Sequence, residues 1–228
     1  MSPLPQLFGA LPAPFAAAWQ ADRPWALLEA PLETLFSTLP SSAIAGRVHP
    51  GAQLLGDRIV IGKGSRIAPG AVLEGPLWIG EEVEIRVGAY LRGGCWLGDG
   101  CVIGANVEMK RAILFPGAHA AHLNYVGDSI LGREVNLGAG VILSNFRHDG
   151  REIAIPTAGG PLATGRRKLG AILGDGVAVG CNSVLNPGTV VGARTQVYTG
   201  VQLRSGVYPA DSLIKLRQEL DVVPLGRR

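Results

Sequence analysis

The chain has 228 residues, of which 47% are apolar and 17% charged, and its net charge at neutral pH is +3. This is the composition of a globular protein with enough apolar residues for a substantial core. The small net charge and the scattered basic residues do not indicate a nucleic-acid partner. There is no run of 18 apolar residues and no signal-peptide pattern, so we expect a cytoplasmic protein without a membrane partner.

The first 46 residues predict a short helical region. Proline-bounded segments cover residues 14–21 and 24–39, and Trp25, Leu28, Leu32 and Leu35 recur at helical spacing. We predict that residues 1–46 cap the open end of the structure that follows, where strand edges would otherwise be exposed.

A six-residue repeat dominates residues 47–205. Period six is neither helical nor alternating, and it is typical of a chain that runs a short strand, turns a corner and repeats. Three such hexads make one triangular coil, and successive coils stack at about 4.8 Å. The sequence therefore predicts an all-β fold, a parallel β-helix. The aliphatic positions of the first unbroken run are Leu55, Ile61, Ile67, Leu73, Ile79, Ile85, Leu91, Leu97, Ile103 and Met109.

Three cysteines lie inside the repeat: Cys95, Cys101 and Cys181. Their number is odd and no CxxC pair occurs, so we predict free thiols, buried or partly buried. Cys95 and Cys101 stand where small residues fill the corners of the coil.

The repeat loses its phase between Phe115 and Ser129. A break in a strict repeat costs backbone pairing, so we interpret this segment as functional. The chain has four histidines, His49, His119, His122 and His148. His119 and His122 lie in the break, and His122 is the one beside Asn124 and Tyr125.

A second interruption spans residues 146–171 and predicts a long inserted loop. It contains Arg166, Arg167 and Lys168, which either bind phosphates of coenzyme A or form a solvated charged run. Beyond the repeat, residues 206–228 form a tail. There Asp211 is a candidate N-cap for a short C-terminal helix over residues 212–220.

Several motifs resemble one family. Val-Glu-Met-Lys at 107–110, His-Leu-Asn-Tyr-Val-Gly-Asp at 122–128, Asn-Leu-Gly-Ala-Gly at 136–140 and Asn145 are similar to the acetyltransferase domain of bifunctional glucosamine-1-phosphate acetyltransferase/N-acetylglucosamine-1-phosphate uridyltransferase. Related sugar-1-phosphate nucleotidylyltransferases carry a similar C-terminal domain. The resemblance covers about residues 50–205 and implies a left-handed β-helix and a homotrimer. We expect no nucleotide transfer from these 228 residues, because no glycine-rich nucleotide loop precedes the repeat in them.

The resemblance also implies site residues and ligands. His122 takes the place of the catalytic base, and the acyl donor is acetyl-coenzyme A, with no metal expected. The expected partner is an amino-sugar phosphate, with substrate contacts from Arg92, Lys110, Tyr125 and Asn136. Acyl-coenzyme A contacts fall on Ala139, Asn145, Cys181 and Thr199; Cys181 and Thr199 stand where the family usually has serine and alanine.

The residue types suit this chemistry. An amine attacks a thioester only when unprotonated, so the reaction needs a base with a pKa near neutrality, for which histidine is suited. Backbone N–H groups at 138–140 are candidate donors to the oxyanion, and Arg92 and Lys110 supply cations for a phosphate.

Two other functions stay open on the sequence. One is a non-catalytic sugar-nucleotide-binding or assembly protein on the same scaffold. The other is a γ-type carbonic anhydrase, which binds zinc through three histidines. His119 and His122 offer two ligands, whereas His49 and His148 lie in poor register for a third.

Overall fold

Three parallel β-sheets wrap around one core in the computed structural model, which describes residues 4–219, 221, 223 and 224. Each turn of the chain contributes one short strand to sheet A, then one to sheet B and one to sheet C. The strands pair with those of the previous and next coils, so backbone groups are satisfied along the prism. This architecture confirms the predicted all-β parallel β-helix.

Sheets A and B each contain nine strands. In spatial order, sheet A consists of β1 (Ser42–Ile44), β4 (Ile59–Ile61), β7 (Leu77–Ile79), β10 (Cys95–Leu97), β13 (Ile113–Leu114), β16 (Ile130–Leu131), β21 (Ala171–Leu173), β24 (Thr189–Val191) and β27 (Gly206–Tyr208). Sheet B consists of β2 (Arg47–Val48), β5 (Arg66–Ile67), β8 (Glu84–Ile85), β11 (Val102–Ala105), β14 (His119–His122), β17 (Asn136–Leu137), β22 (Ala178–Val179), β25 (Gln196–Val197) and β28 (Leu213–Ile214).

Sheet C has eight strands, and one hairpin lies outside the prism. Sheet C consists of β3 (Gln53–Leu55), β6 (Val72–Glu74), β9 (Tyr90–Arg92), β12 (Glu108–Lys110), β15 (Tyr125–Gly127), β18 (Ile142–Leu143), β23 (Val184–Leu185) and β26 (Gln202–Leu203). The hairpin pairs β19 (Ile153–Ile155) with β20 (Leu162–Arg166). The helical elements are α1 (Ala13–Ala16), a 3-10 helix (Pro24–Leu28) and α2 (Ala30–Ser37). None of these helices is long and apolar enough to cross a membrane, nor is any other among the described residues.

Aliphatic side chains of the repeat fill the prism. In sheet C, for example, Leu73, Leu91, Met109, Val126 and Leu143 are in register and fully buried. The strands begin at Ser42 and end at Ile214, so the regular coil extends beyond the predicted limits of 47 and 205 at both ends.

The N-terminal segment lies along the outer face of sheet A, which corrects the prediction that it caps the end of the prism. Trp96, Ile113 and Ile130 are in register on three successive strands of sheet A, and all three are buried in one cluster with apolar residues of the segment. Phe15 packs edge-on against Trp96, with ring centroids 5.1 Å apart. Covering this apolar row removes it from water, which stabilises the segment in this position.

The predicted C-terminal helix is wrong for the described residues. Leu213 and Ile214 form β28, which pairs in parallel with Gln196 and Val197 and continues the ladder of sheet B. Asp211 has a left-handed φ of 54° and forms an ion pair with Arg194, so it is a corner residue, not an N-cap. Leu220, at the end of the predicted helix, lies outside the described residues.

Backbone pairing continues through residues 115–129, where a loop break was predicted. β14 pairs with β11 on one side and β17 on the other, and β15 pairs with β12 and β18. The six-residue phase of the sequence changes here because this coil has one residue fewer than the coil before it. Val102 pairs with His119 at a separation of 17, whereas Glu84 pairs with Val102 at 18. A shortened corner is therefore enough to shift the sequence pattern.

The 146–171 insertion is a folded hairpin, although the sequence predicted a structureless loop. An antiparallel bridge between Phe146 and Lys168 closes its base. Ile153 and Ile155 are buried, and the Thr164 hydroxyl donates a hydrogen bond to the Ile153 carbonyl at 2.5 Å. Apolar contacts with the outer side of the prism thus hold the hairpin in place.

Candidate active site

His122 stands in a column of corner residues where sheet B turns into sheet C. The Gly140 N–H donates to the His122 carbonyl, the Asn182 N–H to the Ala139 carbonyl and the Gly200 N–H to the Cys181 carbonyl. His122, Ala139, Cys181 and Thr199 therefore occupy equivalent positions in four successive coils. The structure brings the predicted base together with three predicted acyl-coenzyme A contacts.

Asn124 fixes the corner that carries His122. Its side chain is buried, and its Oδ1 accepts the His122 N–H at 3.1 Å. Its Nδ2 donates to the Gly138 carbonyl at 2.8 Å, which ties this corner to the corner of the next coil. The His122 imidazole itself is exposed and has no hydrogen-bond partner among the described residues. The sequence motif contained Asn124, but no residue pattern revealed this positioning role.

The glycine-rich turn at 138–140 offers fewer free donors than the sequence implied. Gly138 N–H donates to the Val179 carbonyl, and Gly140 N–H donates to the His122 carbonyl. Within the described part of the chain, only the Ala139 N–H of this turn lacks an acceptor. A single backbone donor therefore remains beside His122 for a developing oxyanion.

A polar depression of about 320 Å³ lies on the outer face of sheet C, and we call it the substrate depression. Arg92 and Lys110 are in register on adjacent strands, while Tyr125 follows the His122 corner directly. The hairpin adds a further cation from Lys168. The full lining is Arg92, Lys110, Tyr125, Asn145, Phe146 and Lys168. Three of the four predicted substrate contacts therefore meet here.

Carboxylates balance part of the positive charge around the substrate depression. Arg92 Nη1 lies 2.9 Å from Glu108 Oε1, and this ion pair raises the pKa of the guanidinium. Burial raises the pKa of the Tyr125 phenol, and the nearby Glu108 and Asp128 carboxylates raise it further. Tyr125 thus stays protonated and able to donate a hydrogen bond at neutral pH.

Asn145 lies in the substrate depression. The sequence predicted it as a coenzyme A contact, but it does not belong to the corner column with the other predicted contacts. Its Nδ2 donates to Asp128 Oδ2 at 2.6 Å. Asp128 also lies 3.6 Å from Arg166, whose side chain is only 11% exposed and also pairs with Glu29 at 3.5 Å. Arg166 therefore anchors the hairpin to the prism and is not a free phosphate ligand.

Arg167 and Lys168 remain accessible beside Arg166. Arg167 Nε donates to the Gly150 carbonyl at 2.9 Å. A second depression of about 370 Å³, the basic depression, adjoins the substrate depression and shares two lysines with it. It is lined by Lys110, Arg111, Asp128, Arg166, Arg167 and Lys168.

Asn136 is separated from the other predicted substrate contacts. It lies exposed on sheet B in register with His119, whereas Arg92, Lys110 and Tyr125 lie on sheet C. The histidines are also dispersed, and the described residues contain no cluster of three or more histidine, cysteine or acidic side chains suited to a metal ion.

Two of the three free cysteines are core residues. Cys95 and Cys101 are buried, and burial raises the pKa of each thiol to about 12. Cys181 is exposed in the corner column, unlike the buried or partly buried position predicted for it.

Comparison with known proteins agrees with this architecture. A bifunctional sugar-1-phosphate nucleotidylyltransferase/acetyltransferase of Sulfurisphaera tokodaii is 40% identical over 105 residues, which cover 46% of this chain and 26% of the relative. The bifunctional protein GlmU of Methanococcus maripaludis is 32% identical over 197 residues, covering 84% of this chain and 47% of the relative. An uncharacterized acetyltransferase, YaiX of Escherichia coli, is 35% identical over 166 residues, covering 71% of this chain and 70% of the relative.

The β-helix fold and these relatives place the chain in the hexapeptide-repeat acyltransferase class. Residues 73–207 match the GMPPB C-terminal domain family, and the chain belongs to that family. It spans 26% and 47% of the lengths of the two bifunctional relatives.

Proposed function

We propose that the protein transfers an acetyl group from acetyl-coenzyme A to the amine of a hexosamine 1-phosphate or a related amino-sugar nucleotide. One observation carries this proposal. His122 heads the corner column of Ala139, Cys181 and Thr199, and Tyr125, directly after that corner, opens onto the cation-lined substrate depression. A thioester along the column and an amino sugar in the depression would meet at His122.

In the proposed reaction, the His122 imidazole is the general base. The amine forms a bond to the thioester carbonyl carbon as His122 accepts the amine proton. The resulting oxyanion accepts a hydrogen bond from the Ala139 N–H. When the carbon–sulfur bond breaks, the imidazolium returns the proton to the coenzyme A thiolate. The products are the N-acetylated sugar and free coenzyme A, and His122 is neutral again.

The cations around Tyr125 would hold the phosphate of the sugar. Lys110 and Lys168 have no carboxylate partner within 4 Å among the described residues, so their charge is available for an anion. We therefore propose that Lys168 binds the sugar phosphate, whereas the sequence analysis grouped it with the candidate coenzyme A contacts. The protonated Tyr125 phenol would donate a hydrogen bond to the same substrate.

The proposal includes a homotrimer with shared sites. Asn136 lies on sheet B, whereas Asn145 follows the sheet C strand β18 of the same chain. The corner column runs along an exposed edge of the prism. A second prism set against that edge would form a deep groove with His122 inside it.

A thiol-release assay tests the proposed function. The protein is incubated with acetyl-coenzyme A and a panel of hexosamine 1-phosphates and nucleotide-linked amino sugars, and free coenzyme A is measured with a thiol reagent. We expect amine-dependent release with at least one substrate and none with the matched N-acetylated sugars. If no panel member gives release, the protein is better described as a non-catalytic binding or assembly protein.

A further inference from the structure

Three depressions adjoin on the outer side of sheet C and the hairpin. Besides the substrate and basic depressions, a third of about 390 Å³ lies beside the turn after the strand β18, and we call it the loop depression. Its lining includes Ser144, Phe146, His148, Asn186 and Ser205. Phe146 also lines the substrate depression, so the two depressions meet at this residue. A hexosamine 1-phosphate has one ring and one phosphate and leaves the loop depression empty.

The backbone holds an aromatic ring next to free cations. Phe146 and Lys168 face each other in an antiparallel bridge. A side chain added at Gly150 would meet Arg167 Nη2 at 3.3 Å and Phe146 Cζ at 3.9 Å, so the guanidinium and the ring flank the same point. Phe146 is 42% exposed in spite of its size.

The remaining polar groups suit a nucleobase or a ribose. The Ser144 hydroxyl and the His148 imidazole have no hydrogen-bond partner in the described part of the chain. Asn186 uses its Nδ2 to donate to the Leu203 carbonyl at 2.7 Å, which leaves its Oδ1 as an acceptor. An exposed aromatic ring with donors and acceptors around it is a typical platform for base stacking.

We propose that the amino sugar is bound as a nucleoside diphosphate derivative, with the diphosphate against Lys110, Lys168 and Arg167 and the base packed on Phe146 in the loop depression. This inference deepens the proposed function and rests on it. Lys110, Arg167 and Lys168 lack carboxylate partners within 4 Å among the described residues, whereas Arg92, Arg111 and Arg166 are paired with Glu108, Glu33 and Glu29. The free cations therefore extend from the substrate depression into the basic depression, as a diphosphate requires.

Coenzyme A contains a nucleoside diphosphate as well, so the test must separate the two sources. The corner column that would take coenzyme A lies at the turn from sheet B to sheet C, whereas Phe146 follows the sheet C strand β18 at its far end. We therefore assign the loop depression to the sugar nucleotide.

Isothermal titration of the full chain without an acyl donor provides the experiment. The ligands are UDP, dTDP, GDP, inorganic pyrophosphate and coenzyme A, and the variants are Phe146→Ala, Phe146→Tyr and Leu55→Ala. Leu55 is the matched control because it is also 42% exposed but lies outside the three depressions. We expect at least one nucleoside diphosphate to bind about tenfold more tightly than pyrophosphate. Phe146→Ala should abolish this advantage, while Phe146→Tyr and Leu55→Ala should keep it.

The inference is overturned if pyrophosphate binds as tightly as every nucleoside diphosphate, or if Phe146→Ala leaves their affinities unchanged. It is also overturned if Phe146→Ala weakens coenzyme A instead. Failure of the proposed function looks different, because it is the absence of thiol release with every amino sugar. Release with a hexosamine 1-phosphate, without Phe146-dependent nucleotide binding, would retain the proposed function and remove this inference.

Discussion

His122 is exposed at a corner, and its imidazole contributes nothing to the aliphatic core. His122→Ala should therefore keep the fold while it lowers kcat by about 10² to 10⁴, the usual contribution of a general base. Steady-state thiol release and circular dichroism check the two halves of this prediction. His49→Ala, which removes another exposed histidine from sheet B, is the control. Activity of His122→Ala within about twofold of the unsubstituted chain would remove His122 from the mechanism.

We expect Asn124 to influence the proposed reaction through its hydrogen bonds to the backbone of His122 and Gly138. Asn124→Ala removes the acceptor of the His122 N–H and the donor to the Gly138 carbonyl, both in a buried setting. We expect the free energy of unfolding to fall by about 1–3 kcal/mol, the cost of leaving such groups unpaired. Denaturant unfolding measures this loss.

A positioning role also predicts a lower kcat for Asn124→Ala, with an unchanged KM for the sugar, because the substrate depression does not contain Asn124. Asn124→Asp keeps the acceptor for His122 N–H and should recover part of kcat. If kcat of folded Asn124→Ala equals that of the parent chain, the residue is structural only.

The three thiols should differ sharply in reactivity. Because burial raises the pKa of Cys95 and Cys101 to about 12, they hold no thiolate at pH 8, while Cys181 is exposed. A thiol reagent at pH 8 should label one cysteine per native chain and three per unfolded chain. Peptide mapping identifies the site, and rapid native labelling of either buried cysteine would contradict the packing described here.

The hairpin adds cations to one face of the prism. Its three consecutive basic residues differ in their surroundings, since Arg166 is paired with carboxylates whereas Arg167 and Lys168 are accessible. Lys168→Ala should raise KM for the sugar phosphate about tenfold, as expected for one lost charged hydrogen bond, and leave KM for acetyl-coenzyme A unchanged. The salt dependence of sugar KM should become weaker at the same time. Lys63→Ala, far from the depressions, is the charge-matched control. If only the KM for acetyl-coenzyme A rises, Lys168 binds coenzyme A phosphates, as the sequence suggested.

At the scale of the whole molecule, a single prism offers shallow depressions, and we expect the complete site only in an assembly. Sedimentation equilibrium should give three times the chain mass of 23.8 kDa. Mixing inactive His122→Ala and Asn136→Ala chains should restore partial activity, because Asn136 lies on sheet B outside the substrate depression and would reach the shared site from a neighbouring subunit. A fully active monomer, or an active trimer with no complementation by mixed chains, would contradict the shared site.

The parallel β-helix followed from the sequence alone, and so did the choice of most residues in the proposed site. Apolar residues in strict period six permit only a chain that turns a corner after each short strand, and the His122–Asp128 motif marked the corner that carries the proposed base. Burial of Cys95 and Cys101 followed from the same periodicity. Each of these predictions depended on residues close together in the chain.

The positions of the irregular segments became clear only from the folded chain. The N-terminal helices cover sheet A because Trp96, Ile113 and Ile130, far apart in sequence, form one outward apolar row. Leu213 and Ile214 extend sheet B because the strand before them leaves an edge to pair. Lys168 reaches Lys110 because the hairpin folds back on the prism. Such contacts depend on surfaces assembled from many coils, and no local pattern encodes them.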